Sequence, residues 1–202
     1  MIKNIIFDFG DIFIDLDKSA TIEAFSKLGL QTLTKETNTI DQALEVGDIS
    51  SENFVQQYQE WIPNANENQI LDAWNSILKE FPSNRLEFLQ KLQQEDKYRI
   101  FLLSNTNDIH IDYIKKHVSF YEIFKNCFEQ FYLSQEIGMR KPNTDIFEFV
   151  LEMNKLNPSE TLFIDDTKAN TDTASQLGIQ TWNLIPGKED VIDLFTLKAD
   201  LF

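Results

Sequence analysis

The sequence predicts an α/β fold with a parallel sheet at its core and a small helical cap inserted after the first strand. Three observations support this. Short, continuous apolar runs recur along the chain, helical patterns alternate with most of them, and one long interval contains helical patterns alone. Continuous apolar strands are typical of a sheet covered on both faces, and strand–helix alternation is typical of βαβ units.

The apolar runs give the expected strands. They lie at residues 2–7, 99–104, 128–133, 161–164 and 180–184, and the third is the weakest of them. Between these runs, three groups of apolar residues recur at helical spacing. Ile109 and Tyr113 belong to the first group, Ile146 and Val150 to the second, and Ala174 to the third. Asn143 is the expected N-cap of the second helix, and Gly178 is expected to end the third.

The interval from about residue 16 to residue 81 has no convincing strand. Helical spacing predicts one helix around Phe25, a second around Phe54 and Tyr58, and a third from Ile70 to Leu78. We therefore expect residues 16–81 to form a helical cap domain that lies over the carboxyl edge of the sheet. Residues 1–15 and 82–202 would form the core domain. The aromatic residues of the cap interval are expected in its apolar core.

Composition narrows the range of functions. The chain has 202 residues and a formal net charge of −15, which argues against nucleic acid and anionic membranes as partners. Cys127 is the only cysteine, so no disulfide can form within the chain. The sequence starts without a signal-peptide pattern and lacks an apolar stretch long enough to span a bilayer, so we expect a cytoplasmic protein. Oligomeric state is not indicated.

Carboxylates follow the first and fourth apolar runs. Asp8 ends the first run, and the adjacent pair Asp165 and Asp166 ends the fourth. If both runs are parallel strands, these acids meet at the edge where open α/β sheets bind ligands. Crowded carboxylates repel one another unless a cation or proton lies among them, so the pattern predicts a divalent-metal site. Taken singly, each acid is equally compatible with a turn or a helix N-cap.

Four short segments stand at predicted strand ends or in loops before helices: Phe7–Ile12, Leu103–Asn107, Gly138–Pro142 and Ile164–Thr167, the last with Asn170 following. Their order and content resemble the four motifs of the haloacid dehalogenase (HAD) superfamily of aspartate-nucleophile phosphatases. The second and third segments are most similar to those of small glucose-1-phosphatase-like sugar phosphatases. The resemblance implies a Rossmann-like core with a cap after the first motif.

The resemblance also implies roles for individual residues. Asp8 would attack phosphorus and form an aspartyl-phosphate, and Lys141 would supply positive charge. Mg²⁺ would be held by Asp8, Asp166 and the carbonyl of Gly10.

Three further positions match the motifs in supporting roles. Asp165 would hold a metal-bound water, with Asn170 beside it. Ser104 and Asn105 would donate hydrogen bonds to the phosphoryl oxygens. The expected partner is therefore a small phosphorylated metabolite and the expected cofactor is magnesium.

One position departs from the pattern. Most phosphatases of the superfamily have an acid two residues after the nucleophile, and Gly10 stands there in this chain. The glucose-1-phosphatase-like members also have glycine there. A missing acid favours a substrate with a good leaving group, such as a sugar 1-phosphate. Two alternatives stay open: a non-catalytic binding protein, and hydrolysis of carbon–halogen bonds. His110 and His117 are interpreted as ordinary surface or core residues.

Overall fold

Five parallel strands form the central sheet in the part of the chain that the structure, a computed structural model, describes, which is residues 1–30, 32 and 34–202. The strands are β1 (Asn4–Phe7), β2 (Arg99–Ser104), β3 (Gln130–Leu133), β4 (Thr161–Asp165) and β5 (Gln180–Asn183), and their order is β3-β2-β1-β4-β5. The predicted α/β fold with a parallel, Rossmann-like sheet is confirmed, and each strand lies within or close to the run that predicted it.

Strand β1 lies in the middle of the sheet and is buried on both faces. Ile5 and Phe7 belong to the apolar core on one face, and Ile6 belongs to the core on the other face. This alternation explains why the whole run is apolar. Chain order reverses on either side of β1, because β2 lies on one side and β4 on the other. The carboxyl end of β1 is therefore the point at which such sheets open a crevice for ligands.

Helices cover the sheet and fill the interval between β1 and β2. Between residues 20 and 75 lie the cap helices, which are α1 (Ala20–Leu28), α2 (Lys35–Glu45), α3 (Ser51–Trp61) and α4 (Glu67–Asn75). The remaining helices are α5 (Ser83–Glu95), α6 (Asp108–His117), α7 (Tyr121–Lys125), α8 (Ser134–Ile137), α9 (Thr144–Asn154), α10 (Lys168–Gln176) and α11 (Leu194–Leu197).

The cap helices have an apolar cluster of their own. Phe25, Phe54, Tyr58 and Ile70 are buried in it, and the Phe25 and Tyr58 rings stack with centroids 4.5 Å apart. This cluster also takes in Ile109 of α6, which packs the cap helices against the segment that follows β2. The aromatic residues predicted to form a core in this interval therefore do so.

Several boundaries differ from those predicted. Helix α4 ends at Asn75 rather than at Leu78, because Leu78 instead forms an antiparallel bridge with Leu16 on the return from the cap helices. Asn143 does precede α9, but its side chain caps no backbone group there. Helices α2 and α5 were not predicted. Within residues 1–30, 32 and 34–202, none of the helices combines the length and apolar character needed to cross a bilayer.

Candidate active site

The predicted acids meet at the carboxyl end of β1. Each of Asp8, Asp165 and Asp166 contributes a carboxylate oxygen to a group whose atoms all lie within 4.8 Å of one another. The strand register explains why these acids are close, because Phe7 pairs with Ile164 and the next residues, Asp8 and Asp165, therefore lie side by side. Asp165 is fully buried, whereas Asp8 and Asp166 retain a small exposed surface. Water and an ion can therefore reach two of the three acids.

Lys141 is buried among these acids with only 1% of its side chain exposed. Its ammonium lies 2.9 Å from Asp8 Oδ1 and 2.6 Å from Asp165 Oδ2, and it donates to the carbonyl of Leu103 at 2.8 Å. The three N–H groups of the ammonium thus face acceptors at the carboxyl ends of β1, β2 and β4. Lys141 joins the three central strands at the edge where the acids lie.

Asp165 is held from several sides. Asn170 Nδ2 donates to both carboxylate oxygens at 2.9 and 3.1 Å, and the Thr167 N–H donates to Oδ1 at 2.7 Å. With Lys141 on Oδ2, the carboxylate has little capacity left for a further partner. The contacts therefore leave Asp165 as an anchor for Lys141 and Asn170. They also favour Asp8 and Asp166 as the acids that could face an ion directly.

Asp8 retains a free oxygen. Its Oδ1 accepts from Lys141 and from the N–H of Phe9, whereas Oδ2 has no hydrogen-bond partner among the described residues. Burial, together with nearby Asp165, raises the pKa of Asp8 to about 7 against the opposing effect of Lys141. Burial lowers the pKa of Lys141, but the two acids more than reverse this, so the net shift is upward. The carboxylate form of Asp8 thus gains from any additional positive charge.

The site carries more negative than positive charge. Lys18 also reaches it, with Nζ 2.5 Å from Asp166 Oδ2 and 3.0 Å from Asp11 Oδ2. The four carboxylates Asp8, Asp11, Asp165 and Asp166 thus face two ammonium groups. This excess of two charges equals the charge of one divalent cation.

The available oxygens suit magnesium. The carbonyl of Gly10 accepts no hydrogen bond within the described chain and is close in sequence to Asp8. Carboxylates and a backbone carbonyl, completed by waters, are the hard oxygen ligands that Mg²⁺ takes.

Comparison with known proteins is consistent with this geometry. The family model of the haloacid dehalogenase-like hydrolases matches residues 5–184. This chain belongs to that family. D-ribitol-5-phosphate phosphatase of Bacteroides thetaiotaomicron is 33% identical in an alignment of length 190 that covers 90% of this chain and 91% of the relative.

Solved structures of two HAD-family proteins superpose on most of this chain. A HAD-family enzyme of B. thetaiotaomicron, in complex with magnesium and inorganic phosphate, has 38% identity and a TM-score of 0.84 over 94% of this chain and 97% of its own. A HAD-like hydrolase of Porphyromonas gingivalis has 31% identity and a TM-score of 0.86 over 98% of both chains. The predicted family is thus confirmed. Magnesium as the expected cofactor is supported by the magnesium-bound relative and by the acid cluster of this chain.

The position that departs from most HAD phosphatases is filled by a neighbour. A Cβ placed on Gly10 would lie 2.7 Å from Cδ1 of Leu16, so the leucine would have to move for any side chain to fit. Gly10 does not have a positive φ angle, whereas its neighbour Asp11 does, so the backbone conformation at position 10 does not require glycine. Space, rather than backbone conformation, is what a larger residue would lack here.

The side chain of Asn105, which is predicted to bind phosphate, contacts the backbone of Lys141. The Asn105 side chain donates to the carbonyl of Lys141 at 2.8 Å and accepts from the Lys141 N–H at 2.9 Å. The amide holds the lysine backbone with its oxygen and one N–H, and its second N–H has no partner among the described residues. The backbone N–H groups of Gly10 and Asn105 make no hydrogen bond in the described chain, and the Ser104 hydroxyl makes only a long one of 3.4 Å. These groups are available as donors.

Sequence reasoning missed several residues beside the acids. Leu16, Glu45, Trp74 and His110 line a cavity of about 220 Å³ that also borders Gly10. Lys18 was not singled out either. Lys18 lies just before α1 and His110 lies on α6, both outside the four motif segments, so their place at the site depends on how these segments pack in the complete fold. Trp74 was expected only in the core, and it serves both the core and the cavity wall.

Proposed function

We propose that this protein is a Mg²⁺-dependent phosphatase that hydrolyses the phosphate monoester of a small metabolite, with Asp8 as the nucleophile. The observation that carries the proposal is the convergence of Asp8, Lys141, Asp165 and Asp166 in a HAD-family chain. When bound, Mg²⁺ supplies positive charge that offsets the repulsion between a carboxylate and a phosphate dianion. We propose Asp8, Asp166 and the Gly10 carbonyl as its protein ligands.

The remaining residues have distinct roles in this proposal. The free Oδ2 of Asp8 attacks phosphorus as the bond to the alcohol oxygen breaks, which releases the alcohol and forms an aspartyl-phosphate. Water then hydrolyses this acyl phosphate to inorganic phosphate and the free carboxylate of Asp8. Lys141 fixes the orientation of Asp8 and offsets negative charge as it builds up on the phosphoryl group. The N–H groups of Gly10 and Asn105, with the hydroxyl of Ser104, are proposed to bind phosphoryl oxygens.

Asp165 and Asn170 are proposed to act indirectly, through Lys141. Their contacts with each other and with Lys141 keep the ammonium directed at Asp8. The predicted contact of Asp165 with a metal-bound water is not proposed, because Lys141, Asn170 and the Thr167 N–H already occupy both of its oxygens.

The leaving group limits the range of substrates. Gly10 supplies no acid to protonate the leaving oxygen, and such an acid contributes roughly 10²–10⁴ in rate. An anomeric oxygen leaves more readily than an ordinary alkoxide, which favours a sugar phosphate such as a hexose 1-phosphate. The named relative, in contrast, is a phosphatase of a sugar-alcohol 5-phosphate, so a pentitol phosphate is the second candidate. Turnover of glucose 1-phosphate that does not exceed turnover of glucose 6-phosphate would refute the leaving-group argument.

A single assay tests the reaction class. Wild type is mixed with p-nitrophenyl phosphate and Mg²⁺, beside Asp8→Asn and an EDTA-treated sample. We expect metal-dependent phosphate release by the wild type and background release by the variant. If both proteins are equally inert over a panel of sugar and nucleotide phosphates, the non-catalytic binding protein is the better description. Halide release from a 2-haloacid without added metal would instead support dehalogenation.

The domain division and cellular setting are proposals too. We propose residues 1–15 and 82–202 as the catalytic core and residues 16–81 as the cap domain. The separate apolar cluster of the cap helices supports this division. The net charge of −15 argues against nucleic acid as a partner, and a cytoplasmic location is proposed from the sequence.

A further inference from the structure

A cavity of about 220 Å³ lies next to the proposed phosphate site. Gly10 and Ser104 form part of its wall, so it borders the groups proposed to bind the phosphoryl oxygens. Glu45 and Trp74 of the cap helices, with His110 of α6, form another part. This volume lies below the roughly 300–1,000 Å³ common for drug-sized ligands, so it suits a compact metabolite. The alcohol part of a phosphate ester bound at Asp8 would have this space beside it.

His110 presents a hydrogen-bond acceptor to this cavity. Its Nδ1 lies 2.9 Å from Asn75 Oδ1, and because a carbonyl oxygen only accepts, the proton belongs on Nδ1. Burial lowers the pKa of His110 to about 3, so the ring is neutral near pH 7. Nε2 then carries a lone pair, and it has no hydrogen-bond partner among the described residues. Nε2 keeps some accessible surface, and among the described residues His110 lines this cavity.

The orientation of His110 is fixed by the cap helices. Its ring stacks on Trp74 with centroids 5.2 Å apart and planes 6° from parallel. Both residues are tied to Asn107, whose Oδ1 accepts from the Trp74 indole N–H at 3.3 Å and from the His110 N–H at 3.0 Å. An imidazole held by two ring partners and its own backbone can aim a single acceptor with little loss of side-chain entropy on binding.

Glu45 adds a second acceptor at the end of α2. Arg140 Nε donates to its Oε2 at 2.9 Å and Nη2 lies at the same distance, whereas Oε1 has no partner in the described chain. This ion pair carries no net charge, and the lining of the cavity includes no lysine or arginine side chain. A second phosphate or a carboxylate on the substrate would therefore meet no unpaired cation in the lining, whereas Glu45 Oε1 can accept hydrogen bonds from hydroxyl groups. The polar wall therefore selects an uncharged, hydroxylated group.

Apolar side chains complete the cavity. Trp74, Leu16 and Leu78 contribute to its lining, and they can cover the C–H surface of a carbohydrate or polyol. Polar acceptors on one part of a wall and apolar surface on another are the combination that a hydroxylated carbon chain requires.

We propose that His110 Nε2 and Glu45 Oε1 are the specificity-determining acceptors of this cavity, and that they accept hydrogen bonds from hydroxyl groups of the alcohol part of the substrate. The inference rests on the proposed phosphatase function and adds the side chains that recognise the uncharged, hydroxylated alcohol part. His110 acts in it as a specificity-determining residue, not as an acid.

The first test compares two substrates that differ in leaving-group hydroxyls. Kinetics are measured with a pentitol phosphate and with p-nitrophenyl phosphate for wild type, His110→Phe and the matched control His117→Phe. His117 lies on the same helix but is exposed and outside this cavity. For His110→Phe we expect the loss in kcat/KM on the pentitol phosphate to exceed the loss on p-nitrophenyl phosphate by at least about tenfold, mainly through KM. The control should change neither.

The outcomes separate this inference from the proposed function. An equal loss on both substrates, or a fall in kcat with a changed pH profile, would overturn the hydroxyl-acceptor role while leaving a phosphatase. Turnover of p-nitrophenyl phosphate without turnover of any pentitol or hexose phosphate would overturn the substrate class. Inactivity on every ester would refute the proposed function itself. Binding of the pentitol phosphate to Asp8→Asn, measured by calorimetry, with weakening by His110→Phe would then still support the subsite.

A second test uses charge. Wild type should prefer a pentitol phosphate to 3-phosphoglycerate, and Glu45→Gln should narrow that preference by about tenfold while keeping an acceptor for Arg140. The control is Glu52→Gln, since Glu52 is an exposed residue of α3 outside the cavity. Thermal unfolding of each variant checks that the fold is retained. An unchanged preference in Glu45→Gln would refute the role of this carboxylate.

Discussion

Replacing Lys141 with methionine tests whether the acid cluster depends on its buried ammonium. Methionine matches the lysine stem in length and packs against Phe163, over which the ammonium now lies at 5.3 Å from the ring centre. The change removes positive charge from 2.9 Å beside Asp8 and 2.6 Å beside Asp165. Two buried carboxylates would then face each other with no lysine between them.

The expected loss of stability follows from three opposing effects. At an effective dielectric constant of about 20, each of these ion pairs contributes about 5–6 kcal/mol. Several kcal/mol are recovered because the ammonium no longer loses its hydration. Asp8, whose pKa is already about 7, can also take up a proton in the variant. We therefore expect a net loss of about 3–5 kcal/mol, the range found on breaking buried ion pairs.

Urea unfolding of the metal-free protein, followed by tryptophan fluorescence, measures this loss. The control is Lys168→Met, whose exposed pair with Asp172 should contribute less than about 1 kcal/mol. Adding Asp165→Asn to Lys141→Met removes a second buried charge and should restore part of the stability. Phosphatase activity of Lys141→Met should fall by about 10²–10³. If Lys141→Met and Lys168→Met lose equally little stability, the electrostatic account of this site is wrong.

Three further changes test other parts of the structure. Burial raises the pKa of Asp41 to about 6, against a weaker lowering by the Tyr58 hydroxyl. The protonated carboxyl therefore stabilises the folded state at low pH, and this contribution is lost as pH rises from about 4 through 6. Asp41→Asn keeps an acceptor for Tyr58 and should gain about 1–3 kcal/mol over wild type at pH 7.5 but much less at pH 4.5; a pH-independent difference in urea unfolding would contradict this. Lys18→Met removes an ammonium from a proposed metal ligand and should tighten Mg²⁺ binding about three- to tenfold by calorimetry; weaker binding would indicate that Lys18 helps to build the site. Gly47→Ala should lower the free energy of unfolding by about 2–3 kcal/mol, since φ is 74° and the new Cβ would lie 2.5 Å from a carbonyl of α8. Gly138→Ala, with positive φ but open space, should lower it by only about 1 kcal/mol. Equal losses would mean that the close contact at Gly47→Ala has relaxed.

Local patterns were sufficient to predict the sheet and the place of the acids. A strand such as Ile100–Leu103 is buried on both faces, which requires apolar side chains along its whole length. Its position can therefore be predicted from the sequence. Asp8 and Asp165 come directly after such runs, and parallel pairing necessarily brings them to one edge. Helix α5 could have been predicted in the same way, because Leu86, Leu89 and Leu92 repeat at helical spacing.

Other features have no short-range pattern to reveal them. Helix α2 is mostly polar on its surface, and its Thr34–Thr37 capping box is a weak guide in isolation. Asn105 was predicted to bind phosphate, but its contact with the backbone of Lys141, a residue far away in the chain, was not predicted. Such a contact depends on which loops approach one another, and that is decided by packing of the complete fold.

The sequence by itself determined the parallel sheet, the family and the acids at the end of β1, because each depends on burial or on chemistry carried by neighbouring residues. The tertiary structure alone decided that Leu16 occupies the space beside Gly10 and that Lys18 reaches Asp166. It also placed Glu45 and His110 around one cavity. Lys18 and Asp166, like Glu45 and His110, are distant along the chain, so only the packing of the complete fold brings them together.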